Sequence, residues 1–209
     1  MESNQLSLDL VTPLSEVPFV VVDVETTGMD PVTNRITELA MMKVRNGTLV
    51  GEFSTLVNPL QTIPASIVRM TGIDNVTVSN APTAREVVPC LVEFLGKSVF
   101  VAHNVAFDWS FVYHTALRER GIRLNNPTLC TVKLARRILP SLPSRSLDEV
   151  TRFLEVRIPE RHRASGDTFA TALVLVKFLS YLQQRGIRTL EDLLRFQHEP
   201  AETDVQATS

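Results

Sequence analysis

The chain has 209 residues, 44% of them apolar and 21% charged, with a formal net charge of −2. That length holds one substantial α/β domain or two very small ones, and the composition is that of an ordinary globular protein. No stretch approaches a membrane span, the opening Met-Glu-Ser-Asn-Gln lacks a secretory pattern, and two cysteines exclude a disulfide framework.

Residues 1–17 are polar with scattered leucines and are expected to form a mobile extension. A buried strand is predicted from Phe19 to Val24, a run of β-branched and aromatic residues. Ile36 to Val44 and Leu49 to Val57 read as strands joined by Asn46-Gly47, a strong hairpin signal. Pro64 opens a short helix that stops near Gly72, and Thr83 caps a helix to about Leu95, with Gly96 as its stop. Ser98 to Ala102 is a short buried strand, followed by a helix from Val105 to Arg120. Thr131 to Leu139 is helical, and Ser146 and Glu149 match a capping box for a helix to about Leu154. Pro159 to Ala164 reads as a basic loop, with Ser165 capping a long helix through Gln184. A short helix spans Thr189 to Phe196, and the tail 198–209 lacks apolar periodicity and is expected to be disordered. Strands followed by helices, a strand and more helices imply one domain over 18–197: a mixed sheet covered by helices. Cys90 and Cys130 are expected as small core residues of a reduced, cytoplasmic protein.

Two carboxylates interrupt the first strand. Asp23 and Glu25 are two residues apart and so point to one side. Unneutralised acids so close together among apolar neighbours are unfavourable, which points to divalent cations as their partners. The turn Thr26-Thr27-Gly28 offers backbone N–H groups and hydroxyls to a phosphate or nucleotide. Asp108 and Asp167 each open a helix, where the dipole favours an acid; taken alone, each is equally well a solvated helix-start residue. Two bound divalent ions would reverse the sign of the net charge, so the mild acidity does not exclude a phosphate substrate.

Taken in order, Asp23-Val-Glu25-Thr-Thr-Gly, Ala102-His-Asn-Val-Ala-Phe-Asp108 and His162-Arg-Ala-Ser-Gly-Asp167 resemble the three motifs of the DEDD exonucleases, histidine subtype. That family includes the proofreading epsilon subunit of bacterial DNA polymerase III. The resemblance spans roughly residues 18–183 and departs at Thr168 and Thr71, where alanine and histidine are familiar. It implies an α/β, ribonuclease-H-like fold with a mixed five-stranded sheet flanked by helices. It further implies 3′→5′ release of nucleoside monophosphates with two divalent cations, Mg2+ or Mn2+. Asp23, Glu25, Asp108 and Asp167 would be the metal ligands and His162 the general base. Thr26, Thr27, Gly28, Met29, His103, Asn104 and Phe107 would meet the substrate.

Three functions fit these residues: a DNA exonuclease of proofreading or repair, an RNA-trimming enzyme, and an inactive strand-binding accessory subunit of a polymerase. Four acids kept together with a histidine argue against the last. One further stretch, Gln5-Leu-Ser-Leu-Asp-Leu10, resembles the short peptide with which bacterial replication and repair proteins bind the sliding clamp. Gln5, Leu6, Leu8 and Leu10 would be the contacts, with the leucines entering an apolar groove together from an extended segment. The alternative is that these leucines pack on the domain as an extra edge strand. DNA 3′ ends, a clamp and a polymerase are therefore the expected partners, at the nucleoid, with no membrane.

Overall fold

The computed structural model describes residues 9–157 and 163–198. Its sheet is built outward from β1 (Phe19–Thr26), whose residues from Phe19 to Val22 are all buried. On one side β1 pairs antiparallel with β2 (Ile36–Arg45), and β2 with β3 (Thr48–Leu56). Asn46 and Gly47 both take positive φ between β2 and β3, as the two-residue hairpin turn requires. On the other side β1 pairs in parallel with β4 (Val99–Ala102), and β4 with β5 (Thr128–Cys130). The order β3-β2-β1-β4-β5 is the expected mixed five-stranded sheet. The fifth strand carries no signal of its own in the sequence, because three residues are too few to show an alternation.

Alternate residues of β1 serve opposite faces. Val20, Val22 and Val24 join α2 (Ala84–Leu95) and α3 (Val105–Arg120) through Val87, Leu91, Leu95, Phe111 and Val112. Phe19 and Val21 turn the other way, toward the long α6 (Ala164–Gln184), whose Leu175, Phe178 and Leu182 fill that layer. The same layer takes in α4 (Thr131–Ile138), α5 (Leu147–Phe153) and α7 (Leu190–Phe196). The short α1 (Ala65–Thr71) ends at Gly72 in the left-handed region. Both layers matter for chemistry, because α3 and α6 each begin at the same end of the sheet as the C-terminal half of β1.

Three expectations are corrected. The extension does not run to residue 17: Leu14 and Val17 are buried in the α6 layer. The carbonyls of Thr12 and Leu10 accept from the N–H groups of Leu190 and Glu191 at 3.0 and 2.8 Å. Those are the opening N–H groups of α7, which no carbonyl of their own helix can reach, so the helix start holds the segment in place. Second, Cys90 is exposed on α2, whereas Cys130 is buried as expected. Third, α6 starts at Ala164 rather than after Ser165, for a reason that lies on β2 and is described below. Residues 1–8, 158–162 and 199–209, and with them about half of the predicted extension, most of the predicted basic loop and nearly all of the tail, lie outside the described residues.

Because Leu14 is a core residue, Leu14→Ala should lower unfolding stability by about 2–5 kcal/mol in chemical denaturation. Leu10→Ala, at a side chain 48% exposed, should stay within about 0.5 kcal/mol of wild type. Equal effects would contradict this account of the N-terminal segment.

Candidate active site

The acids converge because β1 is longer than its parallel neighbour. The β1–β4 ladder covers only Phe19 to Val21, and β4 then turns through His103 and Asn104 into α3. Beyond Val21 the β4 side of β1 has no strand partner. Asp108, in the first turn of α3, fills the gap: its carboxylate accepts from the Val24 backbone N–H at 3.2 Å. Asp108 is thereby buried against β1, between Asp23 and Glu25 in sequence position along that strand. The tight turn into α3 places Asn104 at φ 77°, ψ 58°, a left-handed conformation that asparagine tolerates better than most residues.

Asp23 and Glu25 share the face of Phe19 and Val21, the face on which α6 packs. Asp167 stands in the first turn of α6, close enough for its charge to act on both. Four carboxylates from β1, α3 and α6 therefore meet at one end of the sheet. Burial, reinforced by the charges of Asp108, Glu25, Asp167 and Glu38, holds the Asp23 carboxyl well above the usual carboxylate range. Burial and the charges of Glu38 and Asp167 push Glu25 up to about 7, against the opposing pull of Arg163. Burial likewise raises Asp108 to about 8, although the hydrogen bonds it accepts from the backbone work the other way.

These side chains are hard oxygen donors whose crowding and burial disfavour their charged forms, which is what a divalent cation corrects. Among the described residues, no three of the histidine, cysteine and acidic side chains stand close enough together to hold a metal ion as they are placed. The chemistry of the donor set fits a divalent cation: oxygen ligands, mutual repulsion and partial burial.

The residues expected to meet substrate divide into two groups. Met29, next after the Thr26–Gly28 turn, is 75% exposed, Asn104 is exposed, and Phe107 is half-buried against Phe111 with ring centroids 5.0 Å apart. By contrast, the hydroxyls of Thr26 and Thr27 are used inside the turn. Thr26 donates to the Gly28 carbonyl at 2.6 Å, and the Thr27 hydroxyl accepts from the Arg35 N–H at 3.0 Å and from the Gln61 amide. A Cβ on Gly28 would meet the Asn34 side chain at 2.6 Å, so a larger residue here would have to displace that amide from the turn. His103 bridges the Thr131 hydroxyl at 2.9 Å and the Arg145 carbonyl at 2.8 Å, which ties the end of β4 to α4 and to the loop before α5. His162 lies outside the described residues, as do Gln5, Leu6 and Leu8. Leu10 is exposed, with its carbonyl held by α7.

One acid at the site was not singled out in the sequence. Glu38 lies on β2 directly across the ladder from Glu25 and is buried. A lone acid in a predicted strand reads as a solvent-facing residue, and its partner, Arg163, is 125 residues away. Only the spatial pairing of β2 with β1 reveals it.

The raised carboxyls predict a pH dependence of stability without metal. The folded chain binds protons more tightly than the unfolded chain at Glu25 and Asp108, so their stabilising contribution is complete below their ordinary range. It is lost as pH rises through about 7 and about 8. In chelator, the melting temperature should therefore fall between about pH 5.5 and about pH 8.5, and Mg2+ should restore it most at the alkaline end. A melting temperature that rises over this interval in chelator would contradict the crowding of these acids.

The profile of the Exonuclease family (RNase T) matches residues 20–175. The DNA polymerase III subunit epsilon of Aquifex aeolicus is 37% identical over 182 residues, which cover 87% of this chain and 90% of that protein. The PolC-type DNA polymerase III of Caldanaerobacter subterraneus is 38% identical over 84% of this chain, and the match spans 12% of that much longer protein. A putative bifunctional exonuclease/endonuclease of Mycobacterium tuberculosis is 43% identical, with 29% of its length matched. Among solved structures, exonuclease X in complex with 5′-overhanging duplex DNA superposes with a TM-score of 0.70 at 24% identity, covering 86% of this chain and 99% of that one. The motifs, the mixed sheet and the convergent acids agree with these likenesses, and the chain belongs to the Exonuclease (RNase T) family.

Proposed function

We propose that this exonuclease acts on DNA, removing nucleoside monophosphates in the 3′→5′ direction with divalent cations, in proofreading or repair. The observation that carries the reading is the convergence of Asp23, Glu25, Asp108 and Asp167 from three elements, with raised carboxyls on the first three. The likeness to an epsilon subunit along nearly its whole length supports DNA as the substrate.

Asp23, Glu25 and Asp167 would hold one Mg2+ or Mn2+, and Asp23 with Asp108 a second. Bound ions would supply an acidified attacking water and positive charge at the leaving 3′ oxygen. The protein's own groups do the remaining work. The Thr26–Gly28 turn, its hydroxyls and the Thr27 N–H already engaged within the fold, would present its Gly28 backbone to the terminal nucleotide. Exposed Met29 presents an apolar surface against a base, and Phe107 gives a face for stacking. Asn104, set outward by its left-handed backbone, is available to hydrogen-bond the strand. His103, with both ring nitrogens bound inside the fold, holds the β4–α3 turn that carries Asn104 and Asp108. His162 would take the proton of the attacking water, a task for a side chain titrating near neutrality.

Digestion of 5′-labelled single-stranded DNA, duplex DNA and RNA, with Mg2+ or with chelator, tests this reading. Wild type should shorten DNA stepwise from the unlabelled end and only with metal. Asp23→Ala should be inactive, and His162→Ala should lose about 10²–10⁴-fold in kcat while keeping its affinity for Mg2+. Near-normal cleavage by Asp23→Ala, or immediate release of the labelled nucleotide, would contradict it.

The segment Gln5–Leu10 would tether the enzyme to a sliding clamp and so raise its concentration at DNA ends. A peptide of residues 1–14 should bind a bacterial clamp in the micromolar range, about −8 kcal/mol. Replacing Gln5 and Leu8 by alanine should remove that binding, and a wild-type peptide that does not bind at high concentration would end the tether reading.

A further inference from the structure

Glu38 is a buried carboxylate to which the reaction gives no task. It is 2% exposed and stands beside the catalytic acids, across the ladder from Glu25. Its charge adds to their repulsion, and oxygens without other partners would compete for a cation. Instead both its oxygens are occupied. Arg163 donates from Nη2 to Oε1 at 2.6 Å and from Nε to the two oxygens at 3.2 and 3.1 Å. The Ala164 backbone N–H donates to Oε2 at 3.1 Å.

Arg163 and Ala164 are the N-cap and first residue of α6, and no side chain from the cap position closes that helix. An unclosed helix start leaves N–H groups without partners. Here the acceptor comes from β2, the neighbouring strand, and this explains why α6 opens at Ala164 instead of after Ser165. Asp167 sits on the turn thus held, its own N–H bound to the Arg163 carbonyl at 3.1 Å. One residue further on, the buried Thr168 hydroxyl bonds the Ala164 carbonyl at 2.5 Å and approaches the Ala40 carbonyl of β2 at 3.5 Å. The Glu38 and Ala40 contacts join β2 to the first turn of α6, and the Asp167 and Thr168 bonds close that turn on itself.

We propose that Glu38 is a positioning residue: with Arg163 it caps α6 from the adjacent strand and fixes the turn that aims Asp167 at Asp23 and Glu25. The inference rests on the reading of those acids as a cation site. Arg163 has the second task of keeping Glu38 away from the cation by engaging its oxygens.

The test is direct Mn2+ binding by calorimetry, without DNA, on wild type, Glu38→Gln and Arg163→Gln. Charge alone predicts opposite signs: losing an acid would weaken cation binding, and losing a guanidinium would strengthen it. Positioning predicts that both variants bind Mn2+ more weakly, by about 10–100-fold, as for groups that orient metal ligands. Both should keep wild-type circular dichroism, and kcat should fall with little change in KM for a short oligonucleotide. Glu38→Gln retains a neutral acceptor for the Ala164 N–H and should bind better than Glu38→Ala. Tighter Mn2+ binding by Arg163→Gln would overturn the inference, as would variants that lose thermal stability yet keep wild-type affinity. Those outcomes leave the exonuclease reading intact if wild type binds Mn2+ and Asp23→Ala does not. A wild type that binds no Mn2+ would overturn both.

Discussion

Mutual repulsion among carboxylates in partly dry surroundings is the constraint on which this site depends. Asp23 and Glu25 are fixed two apart on one strand and cannot move away from each other. Asp108 and Asp167 arrive from separate helices, and their charges fall on the same pair. An arrangement of that kind is unfavourable when empty and favourable when it encloses positive charge. The rest of the fold holds the arrangement against its own repulsion. The hydrophobic layers on both faces of β1 bury it firmly, so that local strain cannot be relieved by unravelling the strand.

Topology supplies the acids economically. A parallel partner shorter than β1 leaves the Val24 N–H without a ladder acceptor, and Asp108 meets that need. The carboxylate is thus anchored by a backbone bond while its charge acts on Asp23. On the opposite edge, β2 pairs along the full length of β1 and brings Glu38 opposite Glu25. There the fold pairs the extra acid with Arg163, although its charge still bears on Asp23 and Glu25. Two neighbouring carboxylates on adjacent strands thus come to differ in role: the Arg163 guanidinium and the Ala164 N–H bond directly to Glu38, whereas Glu25 feels Arg163 only as a nearby charge that is outweighed by burial and the surrounding acids.

Much of this was legible in the sequence. Alternation along Phe19–Thr26 placed Asp23 and Glu25 on one side, and Asn46-Gly47 marked the hairpin that gives the sheet its antiparallel half. What was not legible depended on contacts distant in sequence or on elements too short for periodicity. Strand β5 has three residues, and Glu38 acquires its meaning only through Arg163. The stretch from Leu10 to Val17 has no repeating pattern, yet Leu14 and Val17 enter the core because the first turn of α7 takes its backbone acceptors from Leu10 and Thr12. The hydroxyls of Thr26 and Thr27 suggested ligand contacts, and the fold uses them to shape the turn.

The central claim is that cation binding replaces protons on crowded carboxyls. Calorimetric titration of Mn2+ into the chain at pH 7, repeated in buffers of different ionisation enthalpy, counts the protons released on binding. With Glu25 held near about 7 and Asp108 near about 8, binding should release protons at pH 7, and the number should fall toward zero as the pH is raised well above 8. Mn2+ binding with no proton release at pH 7 would contradict the account.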